Sequence, residues 1–222
     1  MMFTLKKIAL FPISLFVAFL ALMAKWLLTL SSYVVAPLML YIFGCGIYTG
    51  YLGSREQVQI MADFFDAFRS EDTVIVVDPV MGDAGSMYAG FTPDFAVEMR
   101  KLCGKADVIA PNLTEVSLLL GIPYAEQCPL ETVKTYLKQL TEIGCPIAVI
   151  TGIRNGDQHG AIAYDSITGS YYTAYREHVP EPMHGTGDIF ASVLSGALVR
   201  GASIEQALSI AVNFTADTIQ AT

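Results

Sequence analysis

The 222-residue sequence predicts an α/β domain with a mostly parallel sheet and helices on both faces. Three observations carry that expectation. Short β-branched runs alternate with amphipathic helical stretches from about residue 47 onward. Three of those runs end in clusters of Asp, Asn, Thr and Gly. The length suits one sizeable core, and no internal repeat or low-complexity linker interrupts it.

Arg55 to Arg69 sets Val58, Met61, Phe64, Phe65 and Phe68 on one helical face. Thr73 to Val77 is a β-branched run of the kind buried in a parallel sheet. Pro93 to Leu102 reads as a helix, with Pro93 suited to its first turn. Asp107 to Ala110 is a second strand, and Thr114 to Leu120 a helix that Gly121 stops. Glu131 to Ile143 is helical and Pro146 to Ile150 extended. Gly160–Tyr164 and Ser170–Tyr175 read as an antiparallel pair joined through Thr168-Gly169. Two last helices, Asp188–Arg200 and Ser203–Ala221, are split by Gly201.

The first fifty residues are different. They hold Lys6, Lys7 and Lys25 and no acid, a local charge of +3. The whole chain carries −8, so the other 172 residues carry −11. An acidic body argues against nucleic-acid binding, which needs a basic face to neutralise phosphates. Ile8–Ala24 and Trp26–Ser54 are uncharged and long enough to approach a membrane span. A signal peptide, a buried core segment and sequence foreign to the native fold are the other readings of this stretch. Pro12 and Pro37 break any single long helix. Cys45, Cys103, Cys128 and Cys145 form no C-x-x-C pair, and read as reduced thiols.

Chemistry-bearing residues cluster at the carboxyl ends of the strands, where open α/β sheets bind ligands. Thr73–Val77 leads into Asp78 and Asp83, Asp107–Ala110 into Asn112 and Glu115, and Pro146–Ile150 into Thr151-Gly152. Each has a plainer reading. Asp-Pro and Gly-Asp form turns, and Asn112 with Glu115 fits a helix cap. The stretch "HGTGDIFASVLSGAL" adds a fourth rim. Its Gly-Thr-Gly brings backbone N–H groups close to a ligand at a helix N-terminus, which suits a phosphate. Asp188 there is either an N-cap or a working carboxylate. Together the four rims supply what a nucleotide phosphate with a hydrated Mg²⁺ needs.

"IYTGYLGS", "VVDPVMGDAGSMYAGFTP", "ADVIAPNLTEVSLLLGIPY", "VITGI" and "HGTGDIFASVLSGAL" resemble, in order, the vitamin B6 kinases of the ribokinase superfamily. The likeness runs from about Ile47 to Thr222. Gly-Thr-Gly-Asp marks the superfamily; the Thr-Gly-Tyr and Asp-Pro-Val-Met-Gly-Asp stretches point to the B6 branch.

The resemblance implies a ribokinase-like three-layer α/β/α domain over 47–222, its N-terminal part missing or replaced by residues 1–46. It implies phosphorylation of the 5′-hydroxyl of pyridoxal, pyridoxamine or pyridoxine by ATP with Mg²⁺, and allows a monovalent cation. Carried over, Asp188 is the catalytic base, and Gly185, Thr186 and Gly187 form the anion hole. Asp78, Asn112 and Glu115 hold the metal, largely through water. Asp83, Tyr88, Thr151 and Gly152 lie on the ATP side, and Tyr51 packs on the pyridine ring. Family members often have Thr at the position of Ala110, so one hydroxyl near the phosphates is missing. The family's opening strand, glycine turn and lid have no counterpart in residues 1–46, as expected of a frameshifted or wrongly joined start. A homodimer and a cytoplasmic location follow from the resemblance, with membrane contact only if residues 1–54 are a genuine anchor. The alternatives are a hydroxymethylpyrimidine or sugar kinase, and an inactive membrane-attached fragment.

Overall fold

The computed structural model describes residues 46–179 and 185–221; the apolar front segment lies outside them. In chain order the elements are β1 (Gly46–Thr49), α1 (Arg55–Phe68), β2 (Val74–Val77), β3 (Gly82–Asp83), β4 (Ser86–Met87), α2 (Pro93–Cys103) and β5 (Val108–Ile109). They continue with α3 (Leu113–Leu120), α4 (Leu130–Thr141), β6 (Ile147–Asn155), β7 (Gln158–Asp165), β8 (Ser170–Glu177), α5 (Thr186–Val199) and α6 (Ile204–Gln220). The main sheet has the order β1-β2-β5-β6-β7-β8. Its first four strands are parallel and its last three form an antiparallel meander. This is the mixed, mostly parallel α/β architecture the alternation predicts.

Side chains of consecutive strand residues point to opposite faces, so each short strand feeds two cores. Ile47, Ile75, Val77, Ile109, Ala148 and Ile150 pack with α1 to α4 on one side. Tyr48, Val76, Val108 and Val149 pack with α5 and α6 on the other. Burying one large apolar side chain contributes about 1.5–3 kcal/mol. The exposed ion pairs, such as Lys134–Glu131 at 2.8 Å, are screened by solvent and add little. Two-sided burial therefore decides the stability.

Helix ends follow local sequence. Ser54 caps α1, and Asn112 and Ser203 close capping boxes with Glu115 and Gln206 at the starts of α3 and α6. Gly121, in the left-handed region at φ 66°, ends α3.

Four local expectations change. Residues 46–49, which carry no strong alternation, form strand β1 because β2 pairs with them residue for residue. The loop after Asp78 contains a hairpin, β3 with β4, turned at Ala84 (φ 48°) and Gly85 (φ 78°). Positive φ at both central residues is the geometry of a two-residue hairpin turn. Strand β6 runs on to Asn155 instead of stopping at Ile150, since β7 continues to pair with it. Lastly, α5 begins at Thr186, with Gly185 as its N-cap, so Asp188 is not the cap.

Candidate active site

The predicted residues gather around the ends of β1, β2 and β5 and the first turn of α5. Asp78 follows β2 and its amide donates to the Thr49 carbonyl at 2.9 Å, fastening it to the end of β1. It is 6% exposed. Across from it stands the start of α5: a Cβ placed on Gly187 would lie 4.0 Å from Asp78 Oδ2. Burial, reinforced by the charge of Asp188, pushes the Asp78 carboxyl from 3.8 up to about 7.

Gly185 adopts φ 85° and offers no side chain to cap α5. The first intrahelical donor is the amide of Ile189, which bonds the Gly185 carbonyl at 3.1 Å. The amides of Thr186, Gly187 and Asp188 precede it, in the turn whose N–H groups a helix cannot satisfy itself. Asp188 is exposed at this turn. A carboxylate beside unsatisfied N–H donors can accept a proton while the donors hold an anion.

A second group of residues clamps the β3–β4 hairpin to α3. Glu115 accepts from the Met81 amide at 3.1 Å with one oxygen and from the Asn112 amide at 2.9 Å with the other. The Asn112 side chain accepts from the Glu115 amide and donates to the Gly82 carbonyl, both at 3.0 Å. The Gly85 amide donates to Thr114 Oγ1 at 2.9 Å. Burial, followed by the charge of Asp78, holds the Glu115 carboxyl well above the usual carboxylate range, against the pull of those amides. The capping reading of Asn112 and Glu115 is therefore correct as far as it goes.

Thr151 and Gly152 sit beside this cluster. The Thr151 amide donates to the Pro111 carbonyl at 3.0 Å, and Thr151 bridges to Asn112. Between the pairs Ile150↔Ile162 and Ile153↔Gly160 the two residues oppose Ala161 alone, a β-bulge, with Gly152 at φ 70°. The bulge falls where the parallel neighbour β5 has already ended. Asp83 is exposed in the hairpin, with Ala84 donating to it at 2.8 Å. Tyr88 joins the groups electrostatically: burial first, then Asp83, Glu115, Asp78 and Asp188, raises its hydroxyl above the ordinary phenol value.

Tyr51 stands at the end of an aromatic ladder. Its ring centroid is 5.6 Å from that of Phe91, which stacks on Phe95 at 4.2 Å. Phe91 and Tyr48 were not predicted to serve the site. Phe91 lies in the quoted Gly-Phe-Thr-Pro stretch, where an aromatic before a helix start reads as ordinary core. Tyr48 belongs to the stretch with Tyr51, but only the folded chain reveals which way its hydroxyl faces.

Among the described residues, no three or more His, Cys, Asp or Glu side chains form a metal-holding group. The donor set instead fits Mg²⁺, which keeps several waters and binds through one or two carboxylates and substrate phosphates. Likewise among the described residues, no helix is long and apolar enough to cross a membrane.

The sequence profile of the family described as phosphomethylpyrimidine kinase matches residues 45–222. A pyridoxine/pyridoxal/pyridoxamine kinase of Bordetella avium is 29% identical over 79% of this chain and 60% of its own length. A Bacteroides thetaiotaomicron structure, provisionally named a phosphomethylpyrimidine kinase and solved with pyridoxal, is 37% identical. It superposes with a TM-score of 0.77 over 91% of this chain and 68% of its own. The pyridoxal kinase of Staphylococcus aureus in complex with AMP-PCP is 26% identical, with a TM-score of 0.69 over 79% of this chain and 62% of its own. The chain thus spans between 46% and 63% of the length of the curated relatives it matches.

Proposed function

Since the chain belongs to the phosphomethylpyrimidine kinase family, we propose that it transfers the γ-phosphoryl group of ATP to the 5′-hydroxyl of a B6 vitamer. The observation that carries this reading is the placement of Asp188 on the open first turn of α5, facing the buried Asp78 and the end of β1. The pyridoxal-bound and AMP-PCP-bound neighbours support the substrate pair.

In this reading the vitamer ring packs against Tyr51, with Phe91 behind it. Asp188 takes the proton of the 5′-hydroxyl as its oxygen bonds to the γ-phosphorus. The bond from that phosphorus to the β–γ bridging oxygen breaks, and ADP leaves with the electron pair. The backbone N–H groups of Gly185, Thr186 and Gly187 donate to the transferring phosphoryl oxygens, whose charge they stabilise without reorganising. Asp78, Asn112 and Glu115 would hold Mg²⁺, which would supply neutralisation of phosphate charge. Asp83, Tyr88, Thr151 and Gly152 line the nucleotide side. The alternative, hydroxymethylpyrimidine as acceptor, is supported by a Haemophilus influenzae relative named hydroxymethylpyrimidine/phosphomethylpyrimidine kinase.

The test is turnover of pyridoxal and of hydroxymethylpyrimidine with MgATP by the full chain and by Asp188→Asn. The amide keeps size but cannot accept the proton, so kcat should fall about 10²–10⁴-fold. ATP affinity by calorimetry should stay within about twofold, the N–H donors being untouched. Retention of more than about a tenth of the rate would remove Asp188 from the base role. Preference for hydroxymethylpyrimidine would replace the acceptor.

A further inference from the structure

Tyr48 is the third residue of β1, 8% exposed, with its ring in the core shared with Val76, Phe190 and Leu194. Its ring is core material; its oxygen is not. A Cβ built on Gly50 would lie 3.1 Å from the Tyr48 hydroxyl oxygen and 3.6 Å from Asp188 Oδ1. Position 50 thus lies beside both the phenol and the carboxylate, and a Cβ there would press on the phenol oxygen. The same hydroxyl has the side chain of Ser192 as a polar neighbour, and Ser192 lies one helical turn beyond Asp188 on the same face of α5.

We propose that Tyr48 is a positioning residue for Asp188, its hydroxyl fixing the first turn of α5 against the end of β1. Burial and the neighbouring charges of Asp78 and Asp188 hold the phenol protonated. It therefore remains a neutral dipole that can stand beside two acids, where a phenolate would repel both. An apolar ring with a polar tip suits this boundary between core and site. Phosphoryl transfer depends on the placement of the base, and a misplacement of about 1 Å can cost on the order of 100-fold in rate. This inference rests on the reading of Asp188 as the base.

Tyr48→Phe removes only the oxygen and keeps the ring in the core. It should lower kcat about tenfold with the acceptor and ATP KM values each within about twofold, the pattern of an interaction that matters in the transition state. Ser192→Ala should act in the same direction, and the double variant should be no worse than Tyr48→Phe alone, because both remove one shared contact. An unchanged kcat, or a rise in KM alone, overturns the proposal, as does full additivity of the two losses. Hydrogen exchange gives a readout independent of turnover. Peptides covering 185–194 should lose protection about tenfold in Tyr48→Phe while those covering 204–220 do not change. Equal protection in both proteins overturns the positioning role. If the full chain phosphorylates neither acceptor, the function proposed above fails, and the exchange comparison still decides the role of Tyr48.

Discussion

Replacing Asp78 by Asn should stabilise the protein increasingly as the pH rises. The Asp78 carboxyl is ordinary, at 3.8, when the chain is unfolded, and stands at about 7 in the folded site because it is buried and faces Asp188. Between those two values the native state binds a proton that the unfolded state has released. Stability therefore falls as pH rises through this window, and the loss is complete above about 7. At 1.36 kcal/mol per pH unit, the loss is about 2 kcal/mol at pH 5 and about 4 kcal/mol at pH 8.5. Asn cannot ionise, and its constant cost of burial cancels when two pH values are compared. The stability of Asp78→Asn relative to the parent should thus grow by about 2–3 kcal/mol from pH 5 to pH 8.5. Urea unfolding of both proteins at half-unit pH steps measures it. A difference that stays constant within about 0.5 kcal/mol would refute the burial argument.

Glu115→Gln should raise the Mg²⁺ requirement about tenfold at fixed ATP while the acceptor KM stays within about twofold, as expected for loss of a group that orders metal-held water. A lowered melting temperature with an unchanged Mg²⁺ titration would leave Glu115 a helix cap only. The chain should also bind ATP more readily than it turns over pyridoxal, because every residue assigned to nucleotide and cation lies after position 77. Calorimetry and pyridoxal phosphate absorbance measure the two, and turnover near 1 s⁻¹, usual for kinases, would overturn that expectation.

Much of this was legible in the residues because it is short-range. Asn112 and Glu115 are three positions apart, and the capping box they form is decided within one helical turn. The alternation in Val74–Val77 and Ile147–Ile150 serves two cores whichever helices supply them. The glycines around Thr186 marked the open start of α5 for the same local reason. What the sequence left undecided depends on neighbours distant in the chain. Gly185 takes the cap position, so Asp188 is freed to face the end of β1. Thr151 and Gly152 form a bulge because β7 supplies one residue opposite two. Tyr48, Asp78 and Asp188 meet across separations of 30 and 110 residues, and desolvation there raises Asp78 far above an ordinary carboxyl. Propensity and capping are settled within a turn or a strand; burial and the field at a carboxylate are sums over whatever the fold packs around it.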